Sequence, residues 1–174
     1  HLREGTSPRP IVSQGGNPVV LARMKDLHFR GNATSAQFSM TAPLDLAKLL
    51  REIKTIAVVG LSSNPSRPSH RVASYMQDQG YRIVPVNPNC RKVLGEPSFP
   101  SLLQVPKEVT IDLVNIFRRP ETVPPIVEEA IQVNARGVWM QEGIIHPEAA
   151  RLAEGAGLWV VMDRCLMIEH SYYV

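Results

Sequence analysis

Residues 55–64 read TIAVVGLSSN. A run of β-branched and apolar residues stops at a single glycine, a Ser/Asn loop follows, and a helix-spaced pattern opens at residue 69. A buried strand, a sharp turn and a helix in that order leave backbone N–H groups facing outward, where an anion can sit. A second apolar run, 81–86, ends in Asn87-Pro88-Asn89 and carries no acid at its tip. A nucleotide-type phosphate loop without a ribose-binding carboxylate is the combination that any functional reading must explain.

The same alternation continues along the chain. Residues 45–53 (DLAKLLREI) place apolar residues at 46, 49, 50 and 53, the spacing of a helix face. The pattern then predicts strands at 55–59, 81–86, 110–116, 137–140 and 158–162. Helices are predicted at 69–79, 120–133 and 147–154, with short ones near 101–104 and 165–173. Strands alternating with helices imply a mainly parallel five-stranded sheet with helices on both faces, that is, an α/β fold with a single Rossmann-like doubly wound domain.

Residues 1–39 differ from the rest. They hold Gly-Gly-Asn-Pro and Ser-Pro-Arg-Pro, no sustained periodicity and no apolar core of a signal peptide. They read as a leader, with Met40 as a natural start and residues 40–174 as the domain. The alternative is a short strand pair at 11–12 and 19–21. The leader's five bases and two acids account for the whole net charge of +3, because the other 14 bases balance 14 acids. The domain therefore lacks the positive field of a nucleic-acid binder. No stretch is long and apolar enough to span a membrane. Cys90 and Cys165 stand far apart without CxxC spacing, which fits the cytoplasm and argues against a disulfide scaffold or a zinc site. The five histidines form no metal motif. Whether the protein is a monomer or a homodimer is not written in the sequence.

In a doubly wound sheet the ligand sits at the carboxyl ends of the strands. After the first strand, Gly60 lets the chain turn and lets a ligand approach; Leu61 follows, and Ser62, Ser63, Asn64 and Ser69 offer polar groups. Arg67, His70 and Arg71 stand near a helix N-terminus, where cations oppose the dipole unless an anion lies between them. The alternative is a solvated loop with Ser69 as helix cap. After the second strand come Val86, Asn87, Pro88 and Asn89, then Arg91 and Lys92, which face a ribose phosphate or simply solvent. After the third, Phe117, Arg118 and Arg119 suit an adenine face or a phosphate, unless the arginines pair with Glu121 or Glu128. After the fourth, Gln141, Glu142 and Gly143 place polar groups at the same edge. After the fifth, Asp163 and Arg164 read as anchors of the C-terminal segment. Cys165 and His170, five apart, would point about 140° from each other on one helix, the wrong geometry for a catalytic pair. No catalytic residue set emerges.

Taken together, IAVVGLSSNPSRPSHRVASYMQDQGYRIVPVNPN, VLGEPSFPSL, FRRPE, VWMQEGI and VMDRCLMIEH resemble the small stand-alone CoA-binding domain proteins of bacteria. These are similar in fold to the CoA-binding domain of the succinyl-CoA synthetase alpha subunit. The resemblance covers residues 44–173. It implies coenzyme A or an acyl-CoA held across the strand ends, with the family's phosphate loop falling on residues 60–71 and its later turns on residues 86–89, 115–118 and 141–143. CoA carries a 3′-phosphate on its ribose, which fits the missing acid. The synthetase's catalytic histidine lies in a second domain, for which these residues leave no room, so ligase chemistry is not expected. Two other readings stand beside this one: an NAD(P)-binding oxidoreductase-like protein, disfavoured by the absent GxGxxG, and a thiol redox protein using Cys165 or Cys90.

Overall fold

The computed structural model describes residues 44–174; the leader segment, Met40 and the alternative strand pair lie outside the described residues. The element order is α1 (Leu46–Glu52), β1 (Thr55–Val59), α2 (Pro68–Asp78), β2 (Arg82–Val86), β3 (Lys92–Val93), β4 (Glu96–Pro97), β5 (Leu113–Ile116), α3 (Val123–Gln132), β6 (Gly137–Met140), α4 (Pro147–Gly155), β7 (Trp159–Val161) and α5 (Leu166–Tyr173). The five main strands form one parallel sheet in the order β2-β1-β5-β6-β7, and β3-β4 is a small antiparallel hairpin. The expected α/β, doubly wound architecture is the observed one.

Period-two alternation explains the layers. Ile56, Val58, Leu113 and Trp139 face one side and pack with α1, α2 and α5; Ala57, Val59, Val114 and Val138 face the other and pack with α3 and α4. β1 is buried at all five positions, as a central parallel strand must be. Asp45 caps α1 by accepting from Lys48 N at 3.0 Å. Ala149, Ala150 and Ala153 give α4 a small buried face toward the sheet.

Two expectations need correction, and one element was not expected. The third strand was expected over residues 110–116 but begins at Leu113. Asp112 is occupied otherwise: its carboxylate accepts from Lys54 N (2.9 Å) and Thr55 N (3.0 Å), and its carbonyl accepts from Arg136 N and Gly137 N. The helix expected over 120–133 is a 3-10 turn, Pro120–Thr122, followed by α3. Pro124 and Pro125 have no N–H to donate backward, so the α-helix starts around them. The β3-β4 hairpin was not anticipated at all. Its turn puts Leu94 (φ 53°) and Gly95 (φ 77°) in the left-handed region, and a leucine gives no signal for that. Gln77 Nε2 donates to Leu94 O and holds the turn.

Gly137 lies opposite Trp159 in the β6-β7 register, and a β-carbon at Gly137 would overlap the indole. Gly137→Ala is expected to destabilise the fold by about 1–3 kcal/mol, the usual cost of overpacking, read as a lower urea midpoint at unchanged slope.

His170, only 4% exposed, sits edge-on to both Tyr75 and Tyr81, with Nδ1 3.0 Å from the Tyr75 hydroxyl. Burial holds its pKa below the ordinary 6.5. The unfolded chain therefore binds the proton more readily. This contribution to stability is complete above about pH 6.5 and is lost as the pH falls from there toward the folded pKa. Urea midpoints between pH 5 and 7.5 should decline on the acid side, and His170→Phe should flatten that decline.

Candidate functional site

The site is built where β1, β5 and β6 end. Gly60 has φ +87°, and a β-carbon there would overlap the Phe117 carbonyl oxygen. Its N–H donates to Val86 O at 2.8 Å, which ties the end of β1 to β2, and Phe117 N donates to Val59 O at 2.8 Å, which ties the turn after β5 to β1. The loop that follows bonds to itself. Ser62 N donates to Ser69 Oγ (3.0 Å), Asn64 N to Ser62 Oγ (3.1 Å), and Ser66 N and Oγ to Asn64 Oδ1 (3.0 and 2.8 Å). Ser69 is thus not the helix cap. It is buried inside the first turn of α2, and its hydroxyl holds Ser62.

The cap position of α2 is Arg67, in extended backbone, with Pro68 next and no side chain accepting from the first turn. No acid lies in that turn. The positive end of the helix dipole therefore has no countercharge of its own. Across from it, the Arg118 side chain lies over Gly60, with Nε 3.2 Å from where a β-carbon would be. Neither the Arg67 nor the Arg118 guanidinium makes an ion pair or hydrogen bond among the described residues. Arg119 does, with Glu121 at 3.6 Å, but both side chains are well exposed and the pair is weak.

These groups enclose a cleft of about 530 Å³. Gly60, Ser62, Arg67, Pro68 and Ser69 form its β1 side; Phe117, Arg118, Arg119 and Pro120 its β5 side; Glu142, Gly143 and Ile144 its β6 side. Pro68, Pro120 and Ile144 were missed in the sequence because apolar residues carry no chemical signal there; position at a strand end was the only clue.

Other expected residues shape the cleft without lining it. Leu61 and Val86 are buried core. Asn87 is spent internally: Nδ2 donates to Leu61 O (2.9 Å) and Oδ1 accepts from Asn89 N (2.9 Å), with Pro88 between them in the turn. Ser63, Asn64, His70 and Arg71 lie on the loop and helix outside the lining, as do Arg91 and Lys92. Gln141 is corrected most: it is 4% exposed, its Nε2 donates to Asn115 Oδ1 (2.7 Å), and its Oε1 accepts from Leu166 N (3.4 Å). It braces the rim from inside and does not face the cleft.

Asp163, at φ 60°, accepts from Gly143 N at 2.8 Å and so ties the β6 rim to the end of β7. Arg164 pairs locally with Glu169 at 3.0 Å, and its backbone anchors the C-terminal segment to β6: its carbonyl accepts from Trp139 Nε1 at 2.8 Å and its N–H donates to Met140 O at 3.4 Å. Cys165 precedes α5 as its cap residue, and His170 is engaged with Tyr75, so the two do not form a thiolate–imidazole pair. Among the described residues no group of three or more His, Cys, Asp or Glu side chains could hold a metal ion, and no helix is long and apolar enough to cross a membrane.

Comparison with known proteins gives this geometry a family. The profile of the CoA binding domain matches residues 54–171. YneT of Bacillus subtilis is 40% identical over 127 residues, covering 73% of this chain and 93% of YneT. The ADP-forming acetate–CoA ligase II of Archaeoglobus fulgidus is 29% identical over 120 residues, covering 68% of this chain but only 17% of the ligase. A solved structure from Thermus thermophilus matches with a TM-score of 0.71 at 40% identity, covering 74% of this chain and 96% of that one. With the profile spanning most of the described residues and the strand-end cleft inside that span, this chain belongs to the CoA binding domain family.

Proposed function

We propose that this protein is a binding module that holds coenzyme A or an acyl-CoA non-covalently at the carboxyl edge of its sheet. The observation that carries the reading is the pair of uncompensated guanidiniums, Arg67 and Arg118, beside an uncapped helix N-terminus and over a glycine. Such an arrangement favours an anion between its parts, and a pyrophosphate supplies one. The tip of β2 is compatible with a phosphorylated ribose: it carries no carboxylate, which would repel a 3′-phosphate, and the asparagine there serves the turn itself. Phe117 adds an aromatic wall.

The reading assigns binding and no turnover. The Ser62 and Ser69 hydroxyls accept from backbone amides of their own loop. Among the described residues no histidine or cysteine lines the cleft.

Isothermal titration with CoA tests the reading directly. Arg118→Ala should weaken CoA binding by about 1–3 kcal/mol, the worth of a hydrogen bond to a charged group. Unchanged affinity would place Arg118 outside the site. Thermal shift with NADH run in parallel separates the nucleotide classes: stabilisation by NADH and not by CoA would overturn the proposal in favour of a dinucleotide.

A further inference from the structure

The helix α5 is lightly held. Of its eight residues only Leu166 and His170 are buried; Met167, Glu169 and Tyr173 are half-buried, and Ile168, Ser171 and Tyr172 are exposed. At its start, Leu166 N donates to Gln141 Oε1 at 3.4 Å. In its middle, His170 Nδ1 lies 3.0 Å from the Tyr75 hydroxyl of α2. At its end, Arg51 Nη2 of α1 donates to Tyr173 O at 3.3 Å. The buried hold on the outer half of the helix is therefore a single imidazole.

That imidazole has no countercharge. It packs against the rings of Tyr75 and Tyr81, and the Tyr81 hydroxyl is committed to Leu50 O. Burial pushes the Tyr81 pKa up, so it offers no phenolate. The charged groups on the surrounding elements are engaged elsewhere or exposed. On α1, Lys48 pairs with Glu52, Glu52 also pairs with Arg136, and Arg51 reaches Tyr173 O. On α2, Arg71 and Asp78, about a turn to either side of Tyr75, are exposed, as is Arg82 beside Tyr81. On α5 itself, Glu169 is taken by Arg164, and burial keeps the Tyr173 hydroxyl protonated. A proton on His170 thus places a charge in a buried site where no carboxylate bonds it among the described residues. Its depressed pKa has burial as its cause, in keeping with that.

We propose that α5 is a proton-released latch: a proton on His170 frees the helix from α1 and α2 while the sheet stays folded, withdraws Leu166 N from Gln141, and so slackens the rim of the cleft. Release is local because it exposes little. Leu166 is the one other buried side chain of the helix, and segments with few buried apolar contacts open at the low end of the stability range. The route to the cleft is covalent and short. Gln141 holds Asn115 through Nε2 and the first residue of α5 through Oε1. Ile144 N donates to Gln141 O, and Gly143 and Ile144 line the cleft. What occupies the cleft does not enter the argument, so the latch stands apart from the CoA reading.

Native-state amide hydrogen exchange on the full chain, read residue by residue by NMR in low urea, tests the latch. Between pH 7.5 and 5, α5 amides from Glu169 onward should lose about fivefold or more of their protection, because a proton bound only in the released state shifts the opening equilibrium by about tenfold per unit of pKa difference. At pH 5 they should be at least about tenfold less protected than β1 and β5. Their exchange should be nearly indifferent to urea, while β1 and β5 follow the global slope. The Ile144 amide should follow α5. In His170→Phe, which keeps a buried ring, α5 protection should no longer change with pH. Unchanged α5 protection at pH 5 in the wild type, or protection and urea slope that merge with those of β1 and β5, would overturn the latch even if the variant does not fold. A pH dependence that survives in His170→Phe would overturn His170 as its trigger, and an Ile144 amide that ignores α5 would overturn the link to the cleft.

Discussion

The cleft depends on the approach of two chain turns. Gly60 and the Phe117 carbonyl are so close that no side chain fits between them; Phe117 N donates to Val59 O across β5 and β1, and Gly60 N donates to Val86 O on the β2 side. Because β1 and β5 are neighbours whose connections leave in opposite directions, a crevice must open above them. The glycine decides whether that crevice has a floor of bare backbone or one blocked by a β-carbon. Arg118 can lie across the floor only because nothing projects from it.

Around that floor the protein spends its polar groups unevenly. Asn87, Ser69, Gln141 and Asp163 all satisfy backbone or side-chain partners within the fold, so the loops they hold are set before any ligand arrives. Arg67, Arg118 and Glu142 are left without ion-pair partners among the described residues. Rigid loops carrying uncompensated charges favour binding, because little ordering entropy remains to be lost. The buried Asn115–Gln141 pair is incompletely satisfied: Asn115 Nδ2 has no partner among the described residues, a cost of about 1–3 kcal/mol set against the bracing it gives the rim.

Much of this was legible in the sequence. The five strands, the order of elements and the strand-end location of the site follow from apolar runs punctuated by glycine and proline, and β1 shows the pattern at its clearest. Arg67 stands out in the sequence because a cation beside a helix N-terminus contradicts the dipole, and Arg118 because it follows a strand's carboxyl end; both line the cleft, whereas His70 and Arg71, which stand out with Arg67, do not. What escaped depended on three-dimensional partners. Gln141 and Glu142 are adjacent polar residues at one strand end, yet one turns inward to Asn115 and the other outward to the cleft, and only the packing of α5 against β6 decides which. Ser69 reads as a polar group of the phosphate loop, with a helix cap as the alternative; here Pro68 precedes it inside the helix and its hydroxyl serves Ser62. The hairpin at β3-β4 was hidden because Leu94 takes a backbone conformation that its side chain disfavours.

Asp112 sits at the far end of the same sheet. Through one carboxylate oxygen and its carbonyl it gathers the starts of β1 and β6 around the start of β5, at the edge opposite the cleft. The sheet is thus knotted at both ends, by Asp112 at one and by Gln141 and Asp163 at the other. Drift in the exposed cleft residues that spares those knots can proceed while foldability is inherited intact.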